Sequence, residues 1–276
     1  MAMMTTDDGT ELYYNDWHPA GATRTIVLIH GWPLDADMWS TQALALAEHG
    51  NRVIAYDRRG FGRSSQPWDG YDYDTLSNDL AALIAHLDLS EVTLAGFSMG
   101  GGEVARYLGR HGGAKIAKAV LISAVTPFML KTDTNPTGVD QSVFDGMITG
   151  LRDDRAAFMS SFAPQFYGNS LLKKRVSVEV LDWTFQMAML ASLRATIECA
   201  KAFAMTDFRP DMAAFTMPTL IIHGTADATV PIDSSGRVAA RMIPHAKLIE
   251  YDDEPHGIAA TAGDRLTADL LAFIAS

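Results

Sequence analysis

The sequence predicts an α/β protein: a mostly parallel, doubly wound central sheet flanked by helices, with one helical insertion. Three observations predict it. Six short apolar runs with little polar alternation read as strands buried on both faces. Helical patterns separate them, which is the signature of parallel strands joined by crossovers. The alternation then stops between Val125 and Met217, where no buried strand is legible.

Along the chain, "ELYYND" alternates as an early antiparallel strand. "TIVLIH" (25–30), "RVIAYD" (52–57), "VTLAGF" (92–97), "AKAVLIS" (117–123), "PTLIIHG" (218–224) and "KLIEYD" (247–252) are the buried strands. Helices are expected at "DADMWSTQALALAEHG", stopped by Gly50, and at "DTLSNDLAALIAHLDL", "GGGEVARYLGRHG", "SSGRVAARMIP" and "TAGDRLTADLLAFIA". The intervening stretch, rich in Phe, Met and Trp, reads as several helices covering the strand ends. The expected division is therefore a core of 1–124 and 218–276 with a helical cap at 125–217.

Composition excludes several function classes. The chain has 276 residues, 48% of them hydrophobic, enough for a large core, and a net charge of −11. With no Lys/Arg cluster to offset that charge, no nucleic-acid or anionic-membrane partner is expected. No apolar run approaches the ~18–20 residues that cross a bilayer. The opening "MAMMTTDDGTELYY" lacks the basic and apolar regions of a signal peptide. One cysteine, Cys199, forms no internal disulfide, and no Cys/His spacing suits a metal. The expected location is the cytoplasm, and no metal is expected.

Chemistry concentrates at "AGFSMGGG". Gly96-Phe97-Ser98-Met99-Gly100 is a G-x-S-x-G between a strand and a helix, where a sharp turn exposes a serine hydroxyl above the sheet edge. The glycines let backbone approach backbone, and Ser98 is forced into sparsely allowed conformational space. A serine needs a base. His49, His86 and His111 fall on surface helices or their ends, His18 precedes a proline, and His245 precedes the last strand. His30 and His223 end strands before glycines, where a structural role is expected. His256 follows the last strand at the carboxyl edge, where ligand sites of open sheets form, and is the expected base. Its carboxylate partner is expected to be Asp227, whose loop leaves the neighbouring strand end; Asp207, Asp252 and Asp253 are the rivals. "GFGRSS" lacks the third glycine of a dinucleotide loop, and Arg58 and Arg59 are expected to pair with local acids.

Beyond these motifs, "HGWPLDADMW", "YDRRGFGRSSQPWDGYDYDT", "HLDLSEVTLAGFSMGGGEVARY" and "TDFRPDM" resemble the cofactor-free haloperoxidases, perhydrolases and aryl esterases of the α/β-hydrolase fold over nearly the whole chain. The resemblance implies a Ser98–His256–Asp227 triad, an oxyanion hole from the Trp32 and Met99 amides, no cofactor, and a homo-oligomer. The Trp32 and Met99 placement also follows from position, one amide after the first parallel strand and one at the helix start. Substrates would be small esters, or carboxylic acids with hydrogen peroxide. In that family a proline at the place of Pro33 is associated with peroxidase-like members, where it turns the Trp carbonyl toward bound peroxide. Phe128, Phe144, Phe158 and Phe162 lie in the cap portion resembling members with an aromatic pocket, and are candidate pocket residues. One departure is Gly224-Thr225-Ala226-Asp227 where the family commonly reads G-D-x-D. A lactamase would use the same triad, and a non-catalytic binding protein could keep the fold.

Overall fold

The structure, a computed structural model, describes residues 2–276. Among these residues eight strands make one sheet: β1 (Ala2–Thr5), β2 (Glu11–Trp17), β3 (Arg24–Ile29), β4 (Asn51–Tyr56), β5 (Val92–Phe97), β6 (Ile116–Ile122), β7 (Thr219–Gly224) and β8 (Lys247–Tyr251). Their spatial order is β1-β2-β4-β3-β5-β6-β7-β8, parallel from β4 onward, with β1 and β2 antiparallel at one edge. The predicted α/β architecture is present, each buried strand lying close to its expected bounds.

The sequence reading missed β1. Its signal was the turn in "TDDGT": Gly9 sits at φ +84°, and Thr6 and Asp8 accept from the Thr10 amide, which folds β1 back on β2.

Successive residues of the parallel strands point to opposite faces, and both faces are covered. Ile26 and Leu28 join one core with Trp39, Leu46, Leu266 and Leu270. Val27 and Ile29 join the other with Leu80, Leu83, Val104 and Leu108. Behind these packings lie helices α1 (Ser40–Glu48) and α9 (Gly263–Ala275) on the first face, and α2 (Tyr73–His86) and α3 (Met99–His111) on the second. A side-chain cap fixes the start of α2, where Asp72 accepts from the Thr75 amide at 2.9 Å.

Between β6 and β7 run α4 (Gln141–Phe166), α5 (Val178–Leu190) and α6 (Leu193–Met205). Helix α4 breaks at Asp154, whose backbone is extended (φ −152°, ψ 88°) and whose carboxylate caps the second half by accepting from Ala157 N at 2.9 Å. Two further helices, α7 (Gly236–Met242) and the short α8 (Ile258–Thr261), flank β8 in the chain. No described helix is long and apolar enough to cross a membrane.

Topology creates the site. From β3 the chain goes to β4 on one side and then returns to β5 on the other, so the exits of β3 and β5 diverge from adjacent positions, Ile29 opposite Gly96. Such a switch point leaves a crevice beyond the carboxyl ends of the strands. β7 and β8 end side by side at the same edge, Gly224 opposite Tyr251.

Candidate active site

Ser98 stands between β5 and α3 at φ 53°, ψ −116°, a conformation costing a non-glycine residue of order 1–3 kcal/mol. Neighbouring contacts over-determine it. Its amide donates to Ile122 O at 2.8 Å, and its carbonyl accepts from Gly101 N at 3.0 Å and Val125 N at 3.2 Å. The flanking glycines are required sterically: a Cβ on Gly96 would collide with the Gly100 carbonyl, and one on Gly100 would lie 2.5 Å from Ile29 O.

The loops after β7 and β8 bring two partners to this serine. His256 Nε2 lies 2.9 Å from Ser98 Oγ, and His256 Nδ1 lies 2.7 Å from Asp227 Oδ2. The imidazole is buried against Phe97 and Phe166, with ring centroids 5.0 and 4.9 Å away. Asp227 Oδ1 accepts from the amides of Thr229 (2.9 Å) and Val230 (2.8 Å). Burial alone would raise the Asp227 pKa, but His256 and His223 outweigh it and hold the carboxyl well below its usual range. The rivals are engaged elsewhere: Asp207 with Arg209, Asp253 with Lys173 and Arg175, and Asp252 with Thr225.

One partner of the acid went unassigned in the sequence. His223 Nε2 donates to Val230 O at 2.8 Å and lies 3.3 Å from Asp227 Oδ2, so the carboxylate is gripped from both sides. The only sequence signal was the four-residue spacing across a strand end. Thr225, the departure from the family pattern, has clear work as well. Its amide donates to Tyr251 O (2.9 Å) and its hydroxyl accepts from Asp253 N (2.8 Å), tying the Asp227 loop to the His256 loop.

At the exit of β3, a Cβ on Gly31 would lie 2.6 Å from Phe97 Cδ1 and 3.0 Å from Ser98 Cβ. Only glycine brings this loop so close to the serine. Among the described residues, neither the Trp32 amide nor the Met99 amide donates to a protein acceptor, and no donor reaches the Trp32 carbonyl. The Trp32 indole donates to Thr196 O on α6 at 2.9 Å and packs edge-on against Phe162 and Phe203. The Trp32–Pro33 peptide is cis.

A cavity of about 40 Å³ opens in front of Ser98 and His256. Trp32, Phe144 and Phe162 wall it, with Met147, Phe203 and Val230. The other sequence candidates sit elsewhere. Pro33 is buried but does not line the cavity. Phe128 lies under the Arg209 guanidinium, 5.2 Å from its ring centre, and Phe158 stacks behind Phe162 at 6.0 Å. Aromatic content alone does not say which side chains face the site: Phe128 lies in the loop after β6, and Phe158 lies on α4. The face was readable for Phe144 only through its helical neighbours Val143 and Met147, which also line the cavity.

Arg58 and Arg59 pair with acids as expected. Arg58 bonds buried Glu103, and Arg59 grips Asp79 with two bonds of 2.6 Å and reaches Asp8 at 2.8 Å. Cys199 is fully buried, and burial pushes its thiol pKa up to about 12.

In the loop after β3, Asp35 caps the turn before α1 by accepting from Asp37 N at 3.0 Å. Burial, reinforced by the nearby Asp57 carboxylate, raises its pKa to about 7. A carboxyl raised above its unfolded value of ~3.9 contributes stability below that value and loses it as pH climbs through the folded pKa. Asp35→Asn, which keeps the capping oxygen, is therefore expected to flatten the decline in stability between about pH 4 and 7. The slope removed is at most about 1.4 kcal/mol per pH unit, and urea unfolding at several pH values measures it.

Comparison with known proteins identifies the fold family. Residues 24–261 match the family model described as alpha/beta hydrolase fold. The chain is 45% identical over 276 residues to a non-heme chloroperoxidase of Kitasatospora aureofaciens, covering 99% of each chain. It is 41% identical to a bifunctional esterase/perhydrolase of Acinetobacter calcoaceticus, covering all of both. The crystal structure of a bromoperoxidase from Bacillus anthracis superposes with a TM-score of 0.95 at 43% identity, covering 100% of this chain and 99% of that one. By sequence, by fold and by the arrangement of its strand exits, the chain belongs to the α/β-hydrolase fold family, in its group of non-haem haloperoxidases and perhydrolases.

Proposed function

We propose that the protein is a serine esterase that transfers the acyl group of small carboxylic esters to water, and to hydrogen peroxide when peroxide is present. The observation that carries this reading is the unbroken chain Ser98 Oγ–His256–Asp227 beside two amides with no partner among the described residues. His256 takes the Ser98 proton as Oγ attacks the ester carbonyl. The Trp32 and Met99 amides receive the charge that develops on the carbonyl oxygen, and His256 returns the proton to the leaving alcohol or phenol. Water then releases an acid, or peroxide releases a peracid that oxidises halide in solution. No cofactor enters any of these steps. The Trp32 carbonyl, without a donor of its own, is the acceptor offered to bound peroxide, with Pro33 fixing the loop that aims it.

The small apolar cavity supports short acyl groups. We take residues 125–217 as the cap that closes it. The single unpaired cysteine suits the cytoplasm, and exposed Val178, Trp183 and Leu190 on α5 suit a homo-oligomer.

The test is a panel of aryl acetates and a γ-lactam, each with and without peroxide. Saturable ester turnover is expected, with peracid appearing as peroxide rises and the lactam opening more slowly. A folded protein that turns over no ester overturns the reading, and a lactam preferred to the esters makes it an amidase.

A further inference from the structure

The two oxyanion amides belong to different parts of the chain, one on the loop after β3 and one at the first residue of α3. Something must fix the distance between them, and a buried side chain joins those two parts. Arg58, at the exit of β4, is 1% exposed, and Glu103, on the second turn of α3, is fully buried. The guanidinium bridges the two, with Nη2 touching both His30 O and Glu103 Oε1 and Nε adding a second bond to Glu103. Its Nη2 donates to His30 O at 2.7 Å, two residues before Trp32. Its Nε donates to Glu103 Oε1 at 2.5 Å, one helical turn from Met99. Tyr56 OH completes the set by donating to Glu103 Oε2 at 2.6 Å.

His30 stiffens the first contact. Its Nδ1–H donates to Gly31 O at 2.9 Å, which leaves Nε2 to accept from the Arg58 amide at 3.0 Å. Burial and the adjacent guanidinium both push the His30 pKa well down, so the ring stays neutral and this pattern persists.

We propose that Arg58 and Glu103 are positioning residues that set the spacing of the Trp32 and Met99 amides. The inference rests on the acyl-transfer reading above. Stability is a poor explanation for the pair. Desolvating two charges costs about as much as their attraction returns, and apolar replacements of such pairs are often neutral or stabilising. Geometry is a better one. A planar guanidinium holds two acceptors in a fixed fork that a lysine does not reproduce. Misplacing a reacting contact by about 1 Å costs up to ~100-fold in rate.

Two variants test it. Arg58→Lys keeps the charge and loses the fork; Arg58→Met with Glu103→Leu and Tyr56→Phe removes the whole network without leaving a buried charge alone. In each folded variant kcat for an aryl acetate is expected to fall about 10-fold or more, with KM within about twofold. Affinity for a phenylboronic acid, whose tetrahedral adduct on Ser98 places an oxygen on both amides, falls by the same factor. The pH profile of kcat/KM stays in place because His256 and Asp227 are untouched.

A merely structural pair would lower kcat only in proportion to the unfolded fraction and leave boronate affinity per folded molecule unchanged. That result overturns the proposal, as does a kcat within twofold of wild type in either folded variant. Ser98→Ala, run alongside, separates the two claims. If it retains turnover, the acyl-transfer reading itself falls. If it is inactive while the Arg58 variants match wild type, only the positioning pair falls.

Discussion

Ser98→Ala is expected to remove ester hydrolysis and peroxide-dependent halogenation together, each by about 10⁴-fold or more. Both activities pass through one acyl-enzyme on Oγ, so no route to peracid survives its loss. The residual rate comes from the oxyanion amides and binding alone. Alanine must adopt the same φ of 53° that Ser98 holds, at similar strain, and it leaves the amide bond to Ile122 O intact. The melting temperature is therefore expected to stay close to wild type, which separates chemistry from folding. Release of p-nitrophenol and bromination of an organic acceptor with acetate, peroxide and bromide measure the two activities on one preparation. Halogenation that persists in Ser98→Ala would show a second oxidising site and end the single-intermediate account.

Asp227→Asn is expected to cost about 10⁴-fold in kcat with the fold retained. The reason lies in which end of the amide faces the histidine. Oδ1 of Asp227 accepts two backbone N–H groups, from Thr229 and Val230, and that position demands an oxygen. The asparagine NH₂ must then take the place of Oδ2, where it faces His256 Nδ1. A donor there forces the ring to accept at Nδ1 and to carry its proton on Nε2, facing Ser98. The ring then has no lone pair for the serine proton. Steady-state kinetics give the loss, and a melting curve shows that it is not unfolding. An Asp227→Asn variant within tenfold of wild type would move the acid's role to another carboxylate.

Much of this was legible in the chain itself. The buried strands announced themselves by apolar runs without alternation, and G-x-S-x-G by its place between strand and helix. Asp227 and His256 followed from where strands end, because a parallel sheet puts all its exits on one edge. What stayed hidden depended on side-chain direction and long-range contact. Phe128 and Phe144 look alike in the sequence, yet one lies under Arg209 and the other walls the cavity. His223 reads as a strand terminus until the loop after it curls back and sets Asp227 against its ring. Arg58 reads as one of two adjacent arginines, and nothing local says that it bridges His30 and Glu103. The short edge strand β1 was missed because four residues offer too little pattern, although the turn after it was written out.

Trp32 has a further consequence through its indole bond to Thr196 on α6. The residue whose amide we propose for the developing oxyanion is also fastened, by its side chain, to α6. On that proposal, substrate choice and turnover are not separate dials. A substitution on α6 near Thr196, selected to admit a larger acyl group, would then carry its disturbance to the transition state. Variants broadened in scope should slow on their original esters as well, and recovering speed would call for changes at the strand exits rather than in the pocket wall.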